Sequence, residues 1–186
     1  MAVSPELREL RRTHEPPAGA ELVRHYLRDL VYGANDGIIT TFAVVTGVAG
    51  AALEPRTAII LGVANLLADG FSMGASSFLS IRSEEAVRAT RGEEVQEPFP
   101  ARHGAATLGA FVVAGSVPLV PYVLAAPEVR LAVAVAMTLV TLFVVGALRS
   151  LVTTLRWWRA GLEMLLVGAV AAAVSYGVGA AVAGLV

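Results

Sequence analysis

Long apolar runs separated by short charged connectors organise this chain. Five runs stand out, Leu30 to Leu53, Thr57 to Ile81, Ala105 to Leu124, Leu131 to Leu148 and Gly161 to Val186. A helix of about 20 apolar residues spans the hydrocarbon core of a bilayer, so each run predicts a crossing, the fourth being the shortest. The pattern therefore predicts an all-α integral membrane protein with five transmembrane helices. Residues 1–28 form a polar N-terminal segment and 29–186 a single five-helix transmembrane domain. Just ahead of the first run, Leu22, Val23, Tyr26, Leu27 and Leu30 fall on one helical face. That spacing predicts a short amphipathic helix in the headgroup layer, leading into the first span. Pro118 and Pro121 should kink or end the third span, because proline lacks the N–H that a helix interior needs. Trp157 and Trp158, bracketed by Arg156 and Arg159, read as an interfacial anchor before the fifth.

Composition removes whole classes of function. Of 186 residues, 56% are apolar and 16% charged, which excludes an ordinary water-soluble domain. A net charge of -1 supplies no field to hold a polyanion, so no nucleic-acid partner is expected. Cysteine is absent, which removes disulfides, thiolate metal sites and a cysteine nucleophile. No His cluster or Ser–His pair lies at membrane depth, so the chain is not expected to be an enzyme.

Charge then orients the spans. All 14 basic residues are arginine, and arginine near span ends is retained on the cytoplasmic side. Arg8, Arg11, Arg12, Arg24 and Arg28 precede the first span, Arg82, Arg88, Arg91 and Arg102 follow the second, and Arg149, Arg156 and Arg159 follow the fourth. Only Arg56 and Arg130 fall in the other connectors. A split of twelve against two predicts a cytoplasmic N-terminus and a C-terminus on the opposite side.

Carboxylates inside a bilayer are costly and usually functional. Asp36 lies in the first span, Asp69 in the second and Glu163 at the start of the fifth. Glu163, near Arg159, also reads as one half of an interfacial ion pair. At 100° per residue, Asn65, Asp69, Met73, Ser76, Ser80 and Glu84 form one stripe along the second span. By a rise of about 1.5 Å per residue, Asp36 and Met73 can meet at one depth. Thr40 shares a face with Asp36, while Gly33 and Gly37 would let a neighbouring helix close in. A thioether beside carboxylates suits a first-row cation better than Mg²⁺ or Ca²⁺. Three readings fit the residues: metal transport, a proton relay, and helix packing, with Gly70 and Gly74 as a small-xxx-small pair.

The strings Tyr32-Gly33-Ala34-Asn35-Asp36-Gly37 and Gly70-Phe71-Ser72-Met73-Gly74-Ala75, with Arg82-Ser83-Glu84 closing the second span, resemble the vacuolar iron transporter family. Trp157 to Leu165 is similar to its bacterial members. The resemblance runs from about Leu22 to the end of the chain. It implies a homodimer of five-span subunits that exchanges cytoplasmic Fe²⁺ or Mn²⁺ for protons, with Asp36 and Met73 on the ion path. The family's second-span glutamate falls at Asn65 here, and Asp69, one turn on, would restore the charge. The large cytoplasmic metal-collecting domain of eukaryotic members has no room in the 22 residues from Arg82 to His103. What that connector keeps is Glu84, Glu85, Glu93, Glu94, Glu97 and His103, either a cation-concentrating mouth or a solvated, charge-balanced loop.

The resulting expectation is a divalent transition-metal transporter of a bacterial inner membrane, with metal ions, protons, lipid and a second copy as partners. No permanently bound cofactor is expected, Fe²⁺ or Mn²⁺ being cargo. Asp36, Met73, Asp69, Asn65, Glu84 and Glu85 are the candidate metal residues, with Thr40, Ser76, Ser80 and Glu163 as secondary groups along the path. The alternative is a non-transporting membrane scaffold whose polar stripe serves oligomer packing.

Overall fold

The computed structural model describes residues 20–151 and 153–185. Arg8, Arg11, Arg12 and Val186, which entered the topology argument, lie outside the described residues. The elements are α1 (Ala20–Gly50), α2 (Pro55–Thr90), α3 (Pro100–Gly115), α4 (Val120–Leu124), α5 (Arg130–Leu148) and α6 (Trp157–Ala183). Short 3-10 turns occupy Val117–Leu119 and Arg149–Leu151, and no strand occurs among the described residues.

Four stretches are long and apolar enough to cross a membrane: Pro55–Thr90, Pro100–Leu124, Arg130–Leu151 and Trp157–Ala183. The fifth expected span corresponds to α1, whose 31 residues suffice in length but whose apolar run is diluted by Asn35, Asp36, Thr40, Thr41 and Thr46. The amphipathic segment ahead of it is the first turns of α1 itself, without a break. Helix α2 is 36 residues long, or about 54 Å at the standard rise. That exceeds a hydrocarbon core of about 30 Å, so its last turns, with Glu84 and Glu85, project beyond the apolar stretch. Pro118 and Pro121 do interrupt the third crossing: α3 ends at Gly115, a 3-10 turn follows, and α4 resumes at Val120. Both prolines remove an N–H from the ladder, and a tighter turn is the local solution. The tryptophans open α6, where Trp157 stacks edge-on against Phe143 with centroids 6.1 Å apart.

Helix α1 runs through the middle of the bundle, against α3, α6, α2 and α5. Close approach is achieved with glycine. A Cβ on Gly33 or Gly37 would strike the carbonyls of Thr107 and Phe111 on α3, and Gly74 and Gly104 face each other between α2 and α3. Small residues give membrane helices their contact surface, because apolar side chains gain little by leaving lipid for protein. Around these seams sit Val45, Leu66, Phe111, Leu119 and Ala134 in one buried cluster and Ile38, Leu142, Val145 and Met164 in another. Long apolar side chains on α6, among them Leu166, Val170 and Val174, point outward instead, as lipid-facing positions do.

The arginines segregate by end. Nine of the eleven described arginines lie where α1 begins and α2 ends; Arg56 and Arg130 stand at the other, at the starts of α2 and α5.

Candidate functional site

The polar stripe of α2 lies beside its packing seam and not within it. Gly62, Leu66, Gly70, Gly74 and Ile81 are buried, whereas Asp69, Ser76 and Ser80 are exposed on the subunit surface and Asn65 is half-buried. Asp36 of α1 is exposed as well, and it lies within electrostatic reach of Asp69 across the α1–α2 seam. Two carboxylates from different helices therefore stand exposed on the subunit surface, Asp69 within the polar stripe of α2. Thr40 stands one turn above Asp36, and its hydroxyl donates to the Asp36 carbonyl at 2.8 Å, leaving the hydroxyl's lone pairs free to face a cation. Met73 is half-buried and packs on the cluster that contains Leu66 and Phe111.

Glu163 does not join this group. It pairs with Arg149 at 3.7 Å, so the ion pair joins the 3-10 turn after α5 to α6 and is not made with Arg159, whose guanidinium stacks on Trp158.

At the arginine-rich end, Glu84 and Glu85 project from the last turns of α2 and meet Arg88 at 3.4 and 3.7 Å. Glu85 also accepts backbone N–H groups of Gln96 (3.2 Å) and Glu97 (3.0 Å). One carboxylate thereby holds the returning connector against α2 and positions Glu97. Glu97 in turn reaches His103 Nε2 at 3.0 Å and His25 Nε2 at 3.5 Å. The other ring nitrogen of His103, Nδ1, lies 2.6 Å from buried Asp29. His25, Asp29, Glu84, Glu85, Glu97 and His103 are all on the wall of one cavity of about 300 Å³. Glu97 and His103 were legible as part of a polar connector. His25 and Asp29 were not singled out, though their spacing of four residues puts them on one helical face.

Comparison with known proteins decides the family. Residues 27–98 and 88–180 match the model of the VIT family. The chain belongs to the VIT family. The two matched segments of this VIT-family chain overlap over residues 88–98, the end of α2 and the connector after it. It is 32% identical over 163 residues to vacuolar iron transporter homolog 5 of Oryza sativa subsp. japonica, covering 82% of this chain and 78% of that protein. It is 30% identical over 161 residues to vacuolar iron transporter homolog 3 of Arabidopsis thaliana, covering 82% and 80%. Against vacuolar iron transporter 1 of Eucalyptus grandis the match is 26% over 215 residues, covering 84% and 86%. That last alignment is longer than this chain, so the Eucalyptus protein carries residues that this VIT-family member lacks. Family membership and four apolar membrane-length helices make the chain an integral membrane protein.

Proposed function

We propose that this protein moves divalent transition-metal ions, Fe²⁺ or Mn²⁺, out of the cytoplasm in exchange for protons, and that it does so as a homodimer. The observation that carries the reading is that Asp36 and Asp69, exposed side chains from two helices, lie within electrostatic reach of each other. A carboxylate facing lipid is expensive, so this surface calls for a protein partner and a polar path between subunits. A second copy of the same chain satisfies both. Relatives named vacuolar iron transporters support the metal cargo, and Met73 supplies a soft donor near the carboxylates.

A carboxylate at such a site holds either a proton or a metal ion, and alternating occupancy at Asp36, with Asp69 as the second step, couples the two fluxes. Five crossings follow if α1 is inserted with the other four helices, which α1's central place in the bundle supports. The arginine-rich end then faces the cytoplasm by the positive-inside rule, and a bacterial inner membrane is the matching location. This reading makes the protein a transporter and not an enzyme. Within the subunit glycine and not the polar stripe packs α2 against α3, which leaves the exposed stripe to a path or to the oligomer contact of the scaffold alternative.

The deciding experiment is flux in proteoliposomes loaded with a pH dye and a metal dye. Parental protein should move Fe²⁺ or Mn²⁺ one way and protons the other. Absence of any metal-driven proton movement in a folded, reconstituted dimer would return the scaffold reading.

A further inference from the structure

We propose that His25, Glu97 and His103 form a binding site for a first-row divalent transition-metal cation at the arginine-rich end of the bundle, with Asp29 as the residue that orients His103. The site is separate from Asp36 and Asp69, and its occupancy does not depend on whether the protein transports.

Geometry is the first argument. One ligand atom from each of the three residues lies within 4.8 Å of the other two. Both imidazoles converge on the same oxygen of Glu97, His103 Nε2 at 3.0 Å and His25 Nε2 at 3.5 Å. With metal–ligand bonds of about 2.1 Å, donors on neighbouring corners of a coordination shell stand about 3.0 Å apart in an octahedron and about 3.4 Å in a tetrahedron. The two contacts to Glu97 thus already match neighbouring corners of a shell, and the third separation is within 4.8 Å. The Glu97 oxygen has lone pairs for both rings, and a cation seated among the three donors would take the place of those two contacts.

The surroundings of His103 give the second argument. Its Nδ1 faces Asp29 at 2.6 Å, and both side chains are 7% exposed. A carboxylate holding one imidazole nitrogen fixes the ring's orientation and tautomer and leaves the other nitrogen for a metal, an arrangement that recurs behind metal-bound histidines. Helix α1 supplies both His25 and Asp29, α3 supplies His103, and Glu97 is placed by the backbone bonds to Glu85. Three separate segments therefore converge on one point. The neighbouring cation Arg88 is already matched by Glu84, Glu85 and Glu93, so it does not neutralise Glu97.

Donor chemistry sets the class of ion. Two imidazole nitrogens and one carboxylate oxygen suit Fe²⁺, Co²⁺, Zn²⁺ or Mn²⁺, whereas Mg²⁺ and Ca²⁺ prefer shells of oxygen alone. Half-exposed Glu97 and the adjoining cavity leave room for water to complete the shell.

The test is titration of the full chain in detergent with Co²⁺ alone, read by visible absorption and calorimetry. One Co²⁺ per subunit should give the bands of a nitrogen-coordinated ion, and a large excess of Mg²⁺ should not remove them. His25→Ala and Glu97→Gln, at partly exposed positions, should each abolish those bands while leaving the parental thermal midpoint without metal. Asp29→Asn should weaken Co²⁺ about 10- to 100-fold, the usual effect of losing an orienting partner. Asp36→Asn should keep the bands, which separates this site from the proposed transport path. Parental Co²⁺ binding in both His25→Ala and Glu97→Gln would overturn the site, as would bands lost only in Asp36→Asn or displaced by equimolar Mg²⁺.

Discussion

Asp29 and His103 are 74 residues apart in the chain and 2.6 Å apart in space, and their contact locks the first turns of α1 to the first turn of α3. Both side chains are buried. Removing one member of a buried hydrogen-bonded pair leaves the other desolvated and unpaired, at a cost of about 1–3 kcal/mol. Asp29→Ala should therefore lower stability by about that much in reversible detergent-driven unfolding. Much of the loss should return in Asp29→Ala combined with His103→Leu. A single Asp29→Ala variant as stable as the parent would show that the pair is not formed in solution.

Glycine substitutions distinguish packing seams from open helix faces. At Gly33 a Cβ meets the Thr107 carbonyl, a backbone atom that cannot swing aside, whereas Gly109 has nothing within 4 Å. Gly33→Ala should cost about 1–3 kcal/mol through forced separation of α1 and α3. Gly109→Ala should be neutral or stabilising by up to about 1 kcal/mol, since alanine is the better helix former. Unfolding midpoints of the two variants check the contrast.

Asp36→Asn is nearly isosteric and, with α1 as the proposed fifth crossing, removes an intramembrane charge, so stability should stay equal or rise. Metal flux and the accompanying proton flux should disappear together, because an amide neither titrates nor supplies an anionic ligand. Asp69→Asn should slow both fluxes without uncoupling them. Folded Asp36→Asn that exchanges metal for protons at the parental rate would end the mechanism proposed here.

Met73→Leu conserves volume and removes the thioether, so folding and dimerisation should persist. Its packing against the Leu66 and Phe111 cluster is preserved by leucine. Discrimination for Fe²⁺ or Mn²⁺ over Mg²⁺ and Ca²⁺ in the liposome assay should fall. Selectivity equal to the parent's would leave Met73 as a packing residue alone.

The absence of cysteine makes orientation directly measurable. Gln96→Cys, in the connector after α2, should react with a membrane-impermeant thiol reagent only once the cytoplasmic side is opened. Leu185→Cys, beyond the end of α6, should react from outside in intact cells. Labelling of both from the same side would refute five crossings.

Period, composition and charge alone determined that the chain is helical and membrane-embedded, where its apolar runs lie, and that Pro118 and Pro121 interrupt one of them. These are properties of each residue's own transfer energy and backbone chemistry, so they can be read without knowing any neighbour. The stripe from Asn65 to Ser80 was visible for the same reason, because a helix fixes which side chains share a face. Which neighbour each face meets is a different kind of fact. Only the tertiary structure decided that glycines and not serines form the α2–α3 seam, that Glu163 pairs with Arg149 in the turn after α5, and that Asp36 and Asp69 come within electrostatic reach of each other. It alone brought His25 and Asp29 to Glu97 and His103. Those contacts join segments up to 74 positions apart, and they depend on how helices cross and how close glycine lets them come, which no local pattern encodes.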